Sequence, residues 1–497
     1  MRRQSVNFKL VFRIMGFLLM LEGIAILSAL PFSWYFHPEG LTHFQLMDGQ
    51  SEFYAILSSG LFTFLIGLFT FVYTRKATKN TTKKEGYLVV SLSWIVISIF
   101  GSLPFYLSGY FVSYTDAFFE TMSGFTTTGA SILNDIEAVP QGLLFWRSLT
   151  HWIGGMGIIV LSLAILPLLG IGGMQLFSAE SPGPTTDKIH PKVREMAKRL
   201  WAIYVILTLI QTGLLMLGDM SFFDSICHSF ATMATGGFST QNTSVAAYSP
   251  YIQYVIIVFM ILAGTNFALH YFMLKRKFSK VKSSEEYQLY VGIIIGATLL
   301  IGLGLIFKMN LGVEQAFRDS LFQVVSILTT TGFVTADYLL WPTGLWMLLF
   351  ILFFVGGSAG STGGGVKAVR ILVLIKNSLL EFRRLIHPQA IIPVRLNHKP
   401  VPQKIVFVVI SFFLFYLSTF ALGVIVMAAI GLDFESAIGA SASSLGNIGP
   451  ALGSLGPVNN YANIPDIGKW FLSFLMLLGR LEIFTVLIVF SPTFWRK

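Results

Sequence analysis

One short glycine-centred motif occurs four times in this chain, each time at a similar distance after an acidic residue. The four copies read TTTGAS, ATGGFST, TTTGFVT and NIGPALG. In the first three copies the acid and the glycine are 13 positions apart, at Asp116 and Gly129, Asp224 and Gly237, and Asp319 and Gly332. In the fourth, Glu435 precedes Gly449 by 14 positions, and Gly446 competes for the same place. A repeated unit predicts repeated walls around one core, here four walls of one pore.

The composition places those walls in a membrane. Of the 497 residues 54% are hydrophobic and only 12% are charged, whereas about 25% charged residues is usual for soluble domains. The single cysteine, Cys227, excludes an intrachain disulfide and a cysteine zinc site. The excess of 34 Lys and Arg over 24 Asp and Glu indicates basic cytoplasmic loops rather than nucleic-acid binding.

Apolar windows of about 20 residues, long enough to cross the ~30 Å hydrocarbon core, predict about ten transmembrane helices in an all-α polytopic membrane protein. The first window lacks a clear signal-peptidase site, so we expect it to be retained as a span. The windows are Val11 to Leu30, Phe53 to Tyr73, Tyr87 to Leu107, Leu143 to Leu169, Leu200 to Leu217, Tyr251 to Leu274, Tyr287 to Phe307, Leu345 to Ile375, Ile405 to Ile430 and Trp470 to Phe490.

Basic clusters follow every even-numbered span that has a loop after it. Cytoplasmic loops are enriched in Lys and Arg, so these loops and both termini are predicted to be cytoplasmic, and the glycine motifs fall on the outer side. The clusters are Arg75, Lys76, Lys79, Lys83 and Lys84; Lys188, Lys192, Arg194, Lys198 and Arg199; Lys275, Arg276, Lys277, Lys280 and Lys282; and Lys376, Arg383, Arg384, Arg395, Lys399 and Lys404.

Each motif is preceded by enough chain for a short helix that descends from the outer side. The four acidic residues lie at or near the predicted helix starts, where a carboxylate can cap free N–H groups. Backbone at membrane depth must be buried in protein or line an aqueous cavity. Backbone carbonyls can replace the hydration shell of a monovalent cation, and glycine permits the necessary dihedrals. The repeats therefore predict a shared cation path.

A second glycine-rich stretch, GGSAGSTGGG, interrupts the eighth span. Each interior glycine costs about 0.8 to 1 kcal/mol relative to alanine in a helix, so the helix should break there. The stretch lacks the G-K-[ST] ending of a phosphate-binding loop, and the alternative is close helix packing through small residues. Arg480 lies in the tenth span, where a charge is costly. It should face the pore or an intramembrane partner, with a structural ion pair as the alternative.

Several segments together resemble the superfamily of K+ transporters with four channel-like loop repeats. They are ETMSGFTTTGAS, WRSLTHWIGGMGIIVLSLAILP, ATGGFST, GSAGSTGGGVKAVR, NIGP and GRLEIFTVL, and they cover nearly the whole chain. Within the superfamily the chain is most similar to the TrkH family, the membrane subunits of the bacterial Trk potassium-uptake system. The two spans before the first repeat favour this family over the related KtrB subunits.

The resemblance implies roles for two sets of residues. The implied K+ selectivity filter consists of Thr127, Thr128, Gly129, Thr235, Gly236, Gly237, Thr330, Thr331, Gly332, Asn447, Ile448 and Gly449. The implied gate consists of Gly356, Gly357, Ser358, Ala359, Gly360, Ser361, Thr362, Gly363, Gly364, Gly365 and Arg480. A glycine at all four filter positions favours potassium over sodium, and Gly446 remains the alternative in the fourth copy.

The resemblance also implies a homodimer in the bacterial inner membrane with a cytosolic TrkA-like nucleotide-binding partner and no cofactor. The expected organisation is an N-terminal two-helix unit, 1–85, and pore repeats at 86–180, 181–282, 283–398 and 399–497.

Two rival functions remain open. One is a symporter that couples K+ to Na+ or H+, for which Glu120 and Glu482 are the candidate carboxylates. The other is a membrane enzyme, which is disfavoured because no catalytic set converges. His151, Trp152, His228 and His270 lack metal-ligand spacing and are expected to pack.

Overall fold

The computed structural model describes residues 6–35, 52–76, 83–160 and 189–496. In these ranges regular structure is almost entirely helical, and strands β1 (Arg395–Leu396) and β2 (Lys399–Pro400) form a small antiparallel hairpin. The expected all-α membrane architecture is confirmed. Lys79, Lys188 and the end of the fourth predicted window, 161–169, lie outside the described residues.

The chain begins with a tightly packed helical hairpin. It consists of α1 (Phe8–Leu27), the short α2 (Leu30–Tyr35) and α3 (Glu52–Tyr73). The two long helices touch at two glycine pairs, Gly16 with Gly67 and Gly23 with Gly60. A Cβ on Gly16 or Gly67 would lie 2.8 or 2.7 Å from the carbonyl oxygen of the other. Small residues allow transmembrane helices to approach this closely.

Four similar units follow, each with a long helix, a short helix and a second long helix or broken pair. The first contains α4 (Lys83–Gly101), α5 (Leu103–Leu107), α6 (Tyr114–Phe125) and α7 (Gln141–Val160). The second contains α8 (Ile189–Met216), α9 (Phe222–Met233), α10 (Pro250–Gly264), α11 (Phe267–Leu274) and α12 (Phe278–Lys282).

The third unit contains α13 (Glu285–Met309), α14 (Val313–Leu328), α15 (Thr343–Leu352) and α16 (Ala368–Ile386). The fourth contains α17 (Gln403–Ile430), α18 (Phe434–Gly446), α19 (Asp466–Arg480), α20 (Phe484–Phe490) and α21 (Pro492–Trp495). The short helices α6, α9, α14 and α18, here called the pore helices, end at the four glycine motifs.

Three of the pore helices are capped at their N-termini by residues other than the four acids. The side chains of Ser113 and Ser221 accept hydrogen bonds from the N–H groups of Asp116 and Asp224. The carboxylate of Asp433 accepts from the Ser436 N–H, and hydrogen bonds from Ser436 lower the pKa of this carboxyl.

The expectation that Asp319 lies near a helix start is wrong. Helix α14 begins at Val313, so Asp319 lies in its second turn. Asp319 still precedes Gly332 by 13 positions, because the extra residues of this pore helix lie at its N-terminus. The helix has 16 residues, whereas α6 and α9 have 12 each.

Three of the second long helices are broken. Helices α10 and α11 meet at an angle of 104°, and α19 and α20 meet at 116°. In the third unit α15 ends at Leu352 and α16 begins at Ala368. The break in the eighth window is as expected, whereas the sixth and tenth windows were expected to be continuous. The interruptions near Thr265 and Glu482 carry no glycine run, so composition does not reveal them.

The glycine contacts in the N-terminal hairpin predict a large difference between two alanine substitutions. A Cβ on Gly23 would lie 2.7 Å from the Phe64 nitrogen and 2.8 Å from the Gly60 oxygen, whereas a Cβ on Gly296 in α13 meets nothing within 4 Å. Overpacking costs about 1 to 3 kcal/mol. We expect Gly23→Ala to lower the thermal midpoint of the detergent-purified protein, and Gly296→Ala to leave it unchanged or raise it. Equal midpoints for the two variants would contradict this packing.

Candidate functional site

The four pore helices all end in the same backbone conformation. One or two positions after the last helical residue, each segment has a residue with a positive φ between 52° and 59°, at Thr127, Thr235, Thr330 and Asn447. The N–H groups of this residue and of the next one bond back to the last helical turn. In the first unit, for example, Thr127 donates to Gly124 and Thr128 donates to Ser123. This is the Schellman arrangement, which satisfies carbonyls that a helix end leaves free.

The shared conformation decides which residues correspond in the fourth unit. Asn447 N–H and Ile448 N–H donate to Ser444 and Ser443, with the same spacing as in the other units. Two positions further on, Gly449 has φ +100°, and Gly129, Gly237 and Gly332 have φ between 79° and 83°. Gly446 instead lies directly before the residue with positive φ, at the position that Thr126, Ala234 and Thr329 occupy in the other units. Gly449, not Gly446, therefore corresponds to the first three glycines.

These four glycines bring the motifs together in a closed ring. Each glycine packs against the carbonyl oxygen of the residue before the glycine of another unit, so closely that a Cβ would collide with it. The contacts run in chain order: Gly129 to Gly236, Gly237 to Thr331, Gly332 to Ile448, and Gly449 to Thr128. We call residues 127–129, 235–237, 330–332 and 447–449 the glycine ring. The structure thus assembles all twelve predicted filter residues in one place.

The ring is held in a strained conformation. Thr127, Thr235 and Thr330 are β-branched residues in the left-handed region, where sparsely populated conformations cost about 1 to 3 kcal/mol each. Side chains behind the ring help to hold it: the Thr128 hydroxyl lies 2.8 Å from that of Thr126 and accepts from the Asn447 amide at 2.9 Å. Such strain persists only where the surroundings determine the conformation, and it is concentrated at functional sites.

The interrupted eighth span places a loop against this ring. Residues 353–367, here called the inner loop, connect α15 and α16. The Gly364 N–H donates to the Thr330 hydroxyl at 2.6 Å, and the Thr362 hydroxyl donates to the Met233 carbonyl at 3.0 Å. The Ala359 N–H donates to Glu286 at 2.6 Å. The predicted gate residues 356–365 thus touch the second and third units at the helix ends that carry the ring.

Arg480 fastens the same loop. Its guanidinium donates to the carbonyl oxygens of Thr362 at 2.7 Å and Gly154 at 3.1 Å, and its side chain is buried. Arg480 was expected in the middle of a continuous helix, but it is the last residue of α19, directly before the break. Among the described residues it forms no ion pair, and this buried charge is bound by the two backbone carbonyls and lies 6.0 Å from the centroid of the Trp94 ring.

Comparisons with known proteins agree with this architecture. The family model for TrkH, a cation transport protein, matches residues 54–307 and 294–497. The chain belongs to the TrkH family. The Trk system potassium uptake protein TrkH of Escherichia coli K12 is 39% identical over 502 residues, with 99% of this chain and all of the relative covered.

Two further members of the TrkH family extend the comparison. TrkH of Halomonas elongata is 38% identical over 496 residues, again with 99% of this chain and all of the relative covered. The crystal structure of the potassium transporter TrkH from Vibrio parahaemolyticus has a TM-score of 0.89 and 36% identity, and the match covers 99% of this chain and all of that one.

Some charged groups near the site of this TrkH-family chain were not foreseen. Arg370 forms an ion pair with Glu482 at 2.5 Å, and the Lys367 ammonium donates to the Gly363 carbonyl of the inner loop. Lys469 pairs with Asp116 at 2.5 Å. Their partners lie more than 100 positions away or within the loop, so spacing does not reveal them.

The histidines of this TrkH-family chain pack as expected. The ring of His151 stacks on Phe238 with centroids 4.0 Å apart, and His228 lies 2.9 Å from the Ser239 hydroxyl. His270 bonds the Leu262 carbonyl. In the described part of the chain no group of three or more His, Cys, Asp or Glu residues could hold a metal ion.

The geometry of the fourth unit predicts different effects of alanine substitution at its two glycines. In Gly449→Ala the new Cβ would lie 2.7 Å from the Thr128 oxygen at a φ of +100°, whereas in Gly446→Ala it would lie 3.0 Å from the flexible end of Ile448 and 3.3 Å from the Phe353 oxygen, without a positive φ. Because such strain costs about 1 to 3 kcal/mol, we expect Gly449→Ala to reduce the ratio of K+ to Na+ uptake about tenfold. Gly446→Ala should retain most of it. Uptake into proteoliposomes measures both, and the reverse order would contradict the register.

Proposed function

We propose that this chain is the pore-forming subunit through which K+ crosses the cytoplasmic membrane into a bacterial cell, with the glycine ring as its selectivity filter. The observation that carries the proposal is the closure of the ring by four equivalent backbone segments. Carbonyl oxygens that replace the hydration shell are the known means of K+ selection. Pore helices that end at the ring direct the partially negative ends of their dipoles towards it.

Potassium is favoured by two further arguments. The relatives from Escherichia coli and Halomonas elongata are named potassium uptake proteins, and the similar solved structure is that of a potassium transporter. In addition, the last residue of each ring segment is a glycine with a positive φ, at Gly129, Gly237, Gly332 and Gly449, so the four segments have similar backbone conformations. The ion is the transported substrate, and the function requires no resident cofactor.

The inner loop and Arg480 form the proposed gate. The loop lies against the ring, and the guanidinium fixes the Thr362 carbonyl. A fixed positive charge beside a cation path raises an electrostatic barrier to cations. Opening then requires the loop to leave its contacts with Thr330, Met233 and Arg480, and the glycine content permits this rearrangement.

Passive conduction is favoured over coupling to Na+ or H+. The two carboxylates that could serve as coupling groups both lie in ion pairs, Glu120 with Arg147 at 2.7 Å and Glu482 with Arg370 at 2.5 Å. In each pair the carboxylate is already bound by an arginine, so it is not free to bind a coupling ion. Glu22 of α1 is a further buried carboxylate, and it has no hydrogen-bonding partner among the described residues. It packs beside Gly101 of α4.

We further propose that the chain forms a homodimer and binds a cytosolic TrkA-like nucleotide-binding subunit. The cytoplasmic part of α16 supports this, since Phe382, Leu385 and Ile386 are exposed there next to Arg383 and Arg384. Contiguous exposed apolar residues mark interaction surfaces. We also propose that both termini lie in the cytoplasm, which the distribution of basic residues supports.

Transport by the purified protein tests the proposed function. In proteoliposomes with an imposed K+ gradient and a voltage clamp set by ionophore, we expect K+ uptake well above that of empty vesicles. An equal Na+ gradient should drive much less uptake. A pH gradient alone should drive none, because conduction is passive. K+ uptake that depends on a Na+ or H+ gradient would support the coupled alternative, and equal uptake by loaded and empty vesicles would contradict the proposal.

Removal of the guanidinium tests the gate. Arg480→Ala breaks the bonds to Thr362 and Gly154 and removes the charge, so we expect K+ uptake to increase, by about tenfold if the barrier falls by 1.4 kcal/mol. Arg318→Ala, which removes an arginine bonded to Glu314 and Gln253 and outside the inner loop, serves as the control and should leave uptake unchanged. Unchanged or lower uptake in a well-folded Arg480→Ala protein would contradict the gating role.

A further inference from the structure

A buried ion pair lies behind the glycine ring, between the first and second units. The Glu120 carboxylate in α6 and the Arg147 guanidinium in α7 are 2.7 Å apart, and the two side chains are 0% and 2% exposed. Neither side chain makes any of the ring contacts described above. A fully buried pair of charges is costly to desolvate and is stabilising only when further hydrogen bonds complete it. The two residues make such further contacts.

Those contacts reach the chain just after the ring in two units. In the first unit Glu120 accepts hydrogen bonds from the Ser131 hydroxyl and the Ile132 N–H, both at 2.9 Å. In the second unit Arg147 donates to the Ser239 carbonyl at 2.9 Å, and its guanidinium lies 3.5 Å from the centroid of the Phe238 ring. The ion pair thus connects the segments that leave Gly129 and Gly237, which are neighbours in the ring.

The other units have weaker contacts at the same position. Nine positions before the ring glycine stand Glu120, His228, Gln323 and Ala440. His228 lies 2.9 Å from the Ser239 hydroxyl, and the Gln323 amide donates to the Ala336 carbonyl at 3.4 Å. Ala440 can form no such bond, and in the fourth unit the Tyr461 hydroxyl donates to the Gly449 carbonyl at 2.8 Å instead. Of these four positions, only the one in the first unit holds a residue that forms an ion pair.

We propose that Glu120 and Arg147 are specificity-determining positioning residues: their ion pair holds the first and second ring segments at the spacing that prefers K+ to Na+. The proposal rests on the glycine ring being the filter. Neither side chain contacts the ion path directly, so both act through backbone carbonyls. Carbonyl position and flexibility determine the preference between two cations of equal charge, and loss of the pair should therefore change selectivity more than total transport.

Three variants test the pair by the ratio of K+ to Na+ uptake in proteoliposomes. This ratio does not depend on how much folded protein each preparation contains. Glu120→Gln and Arg147→Met should each lower the ratio about tenfold, because each leaves a buried charge without its partner. The double variant buries no unpaired charge and should recover part of the ratio lost in Arg147→Met.

A milder variant decides the question if those proteins do not fold. Ser131→Ala removes one hydroxyl donor to Glu120 at a partly buried site and leaves both charges in place. A single hydrogen bond contributes about 1 kcal/mol, so we expect the ratio to fall roughly fivefold. Glu314→Gln, which breaks the exposed ion pair with Arg318, is the matched control and should leave the ratio unchanged.

The outcomes separate this proposal from the proposed function. If wild-type protein transports K+ selectively and Ser131→Ala and every folded variant of the pair keep the wild-type ratio, the positioning role is wrong while the filter assignment stands. If wild-type protein shows no K+ uptake, the proposed function itself fails. A lower ratio in Glu120→Gln and Ser131→Ala with a normal ratio in Glu314→Gln supports the ion pair as a determinant of selectivity.

Discussion

The close contact between each ring glycine and the carbonyl oxygen of another unit is the constraint on which the rest of this structure depends. Four backbone segments can meet so closely only if no Cβ intervenes and each glycine adopts a positive φ. The pore helices must then end at matched points, and their last turns must be satisfied by the following N–H groups. The interrupted helices follow from the same constraint, since a loop can pack against the ring only where a membrane helix stops.

Two buried arginines near the ring are bound by other groups of the protein. The guanidinium of Arg480 is bound by carbonyls of the inner loop and α7, and Arg147 is bound by a carboxylate and a carbonyl. Unpaired charges at this depth would be strongly destabilising. In the proposed mechanism the two arginines have different roles, because Arg480 contacts the loop proposed to move and Arg147 contacts segments proposed to stay in place.

Sequence reasoning found the repeats, the membrane class and the broken eighth span, because these depend on local composition and spacing. It failed in the fourth copy, because the acidic residue from which the spacing was counted is not the residue that caps the helix. The first, second and fourth glycines each follow the helix N-cap, at Ser113, Ser221 or Asp433, by 16 positions. The acid-based count therefore left the fourth register open. The Glu120–Arg147 pair and the 116° break after Arg480 depend on tertiary contacts that no local pattern encodes.

The central claim is that a cation binds among the carbonyls of the ring, and a structure of the protein prepared in Rb+ or Tl+ tests it most directly. The account predicts anomalous density on the ring axis, surrounded by the carbonyl oxygens of Thr128, Gly236, Thr331 and Ile448. Density that appears only elsewhere along the chain, with none inside the ring at a saturating ion concentration, would contradict it.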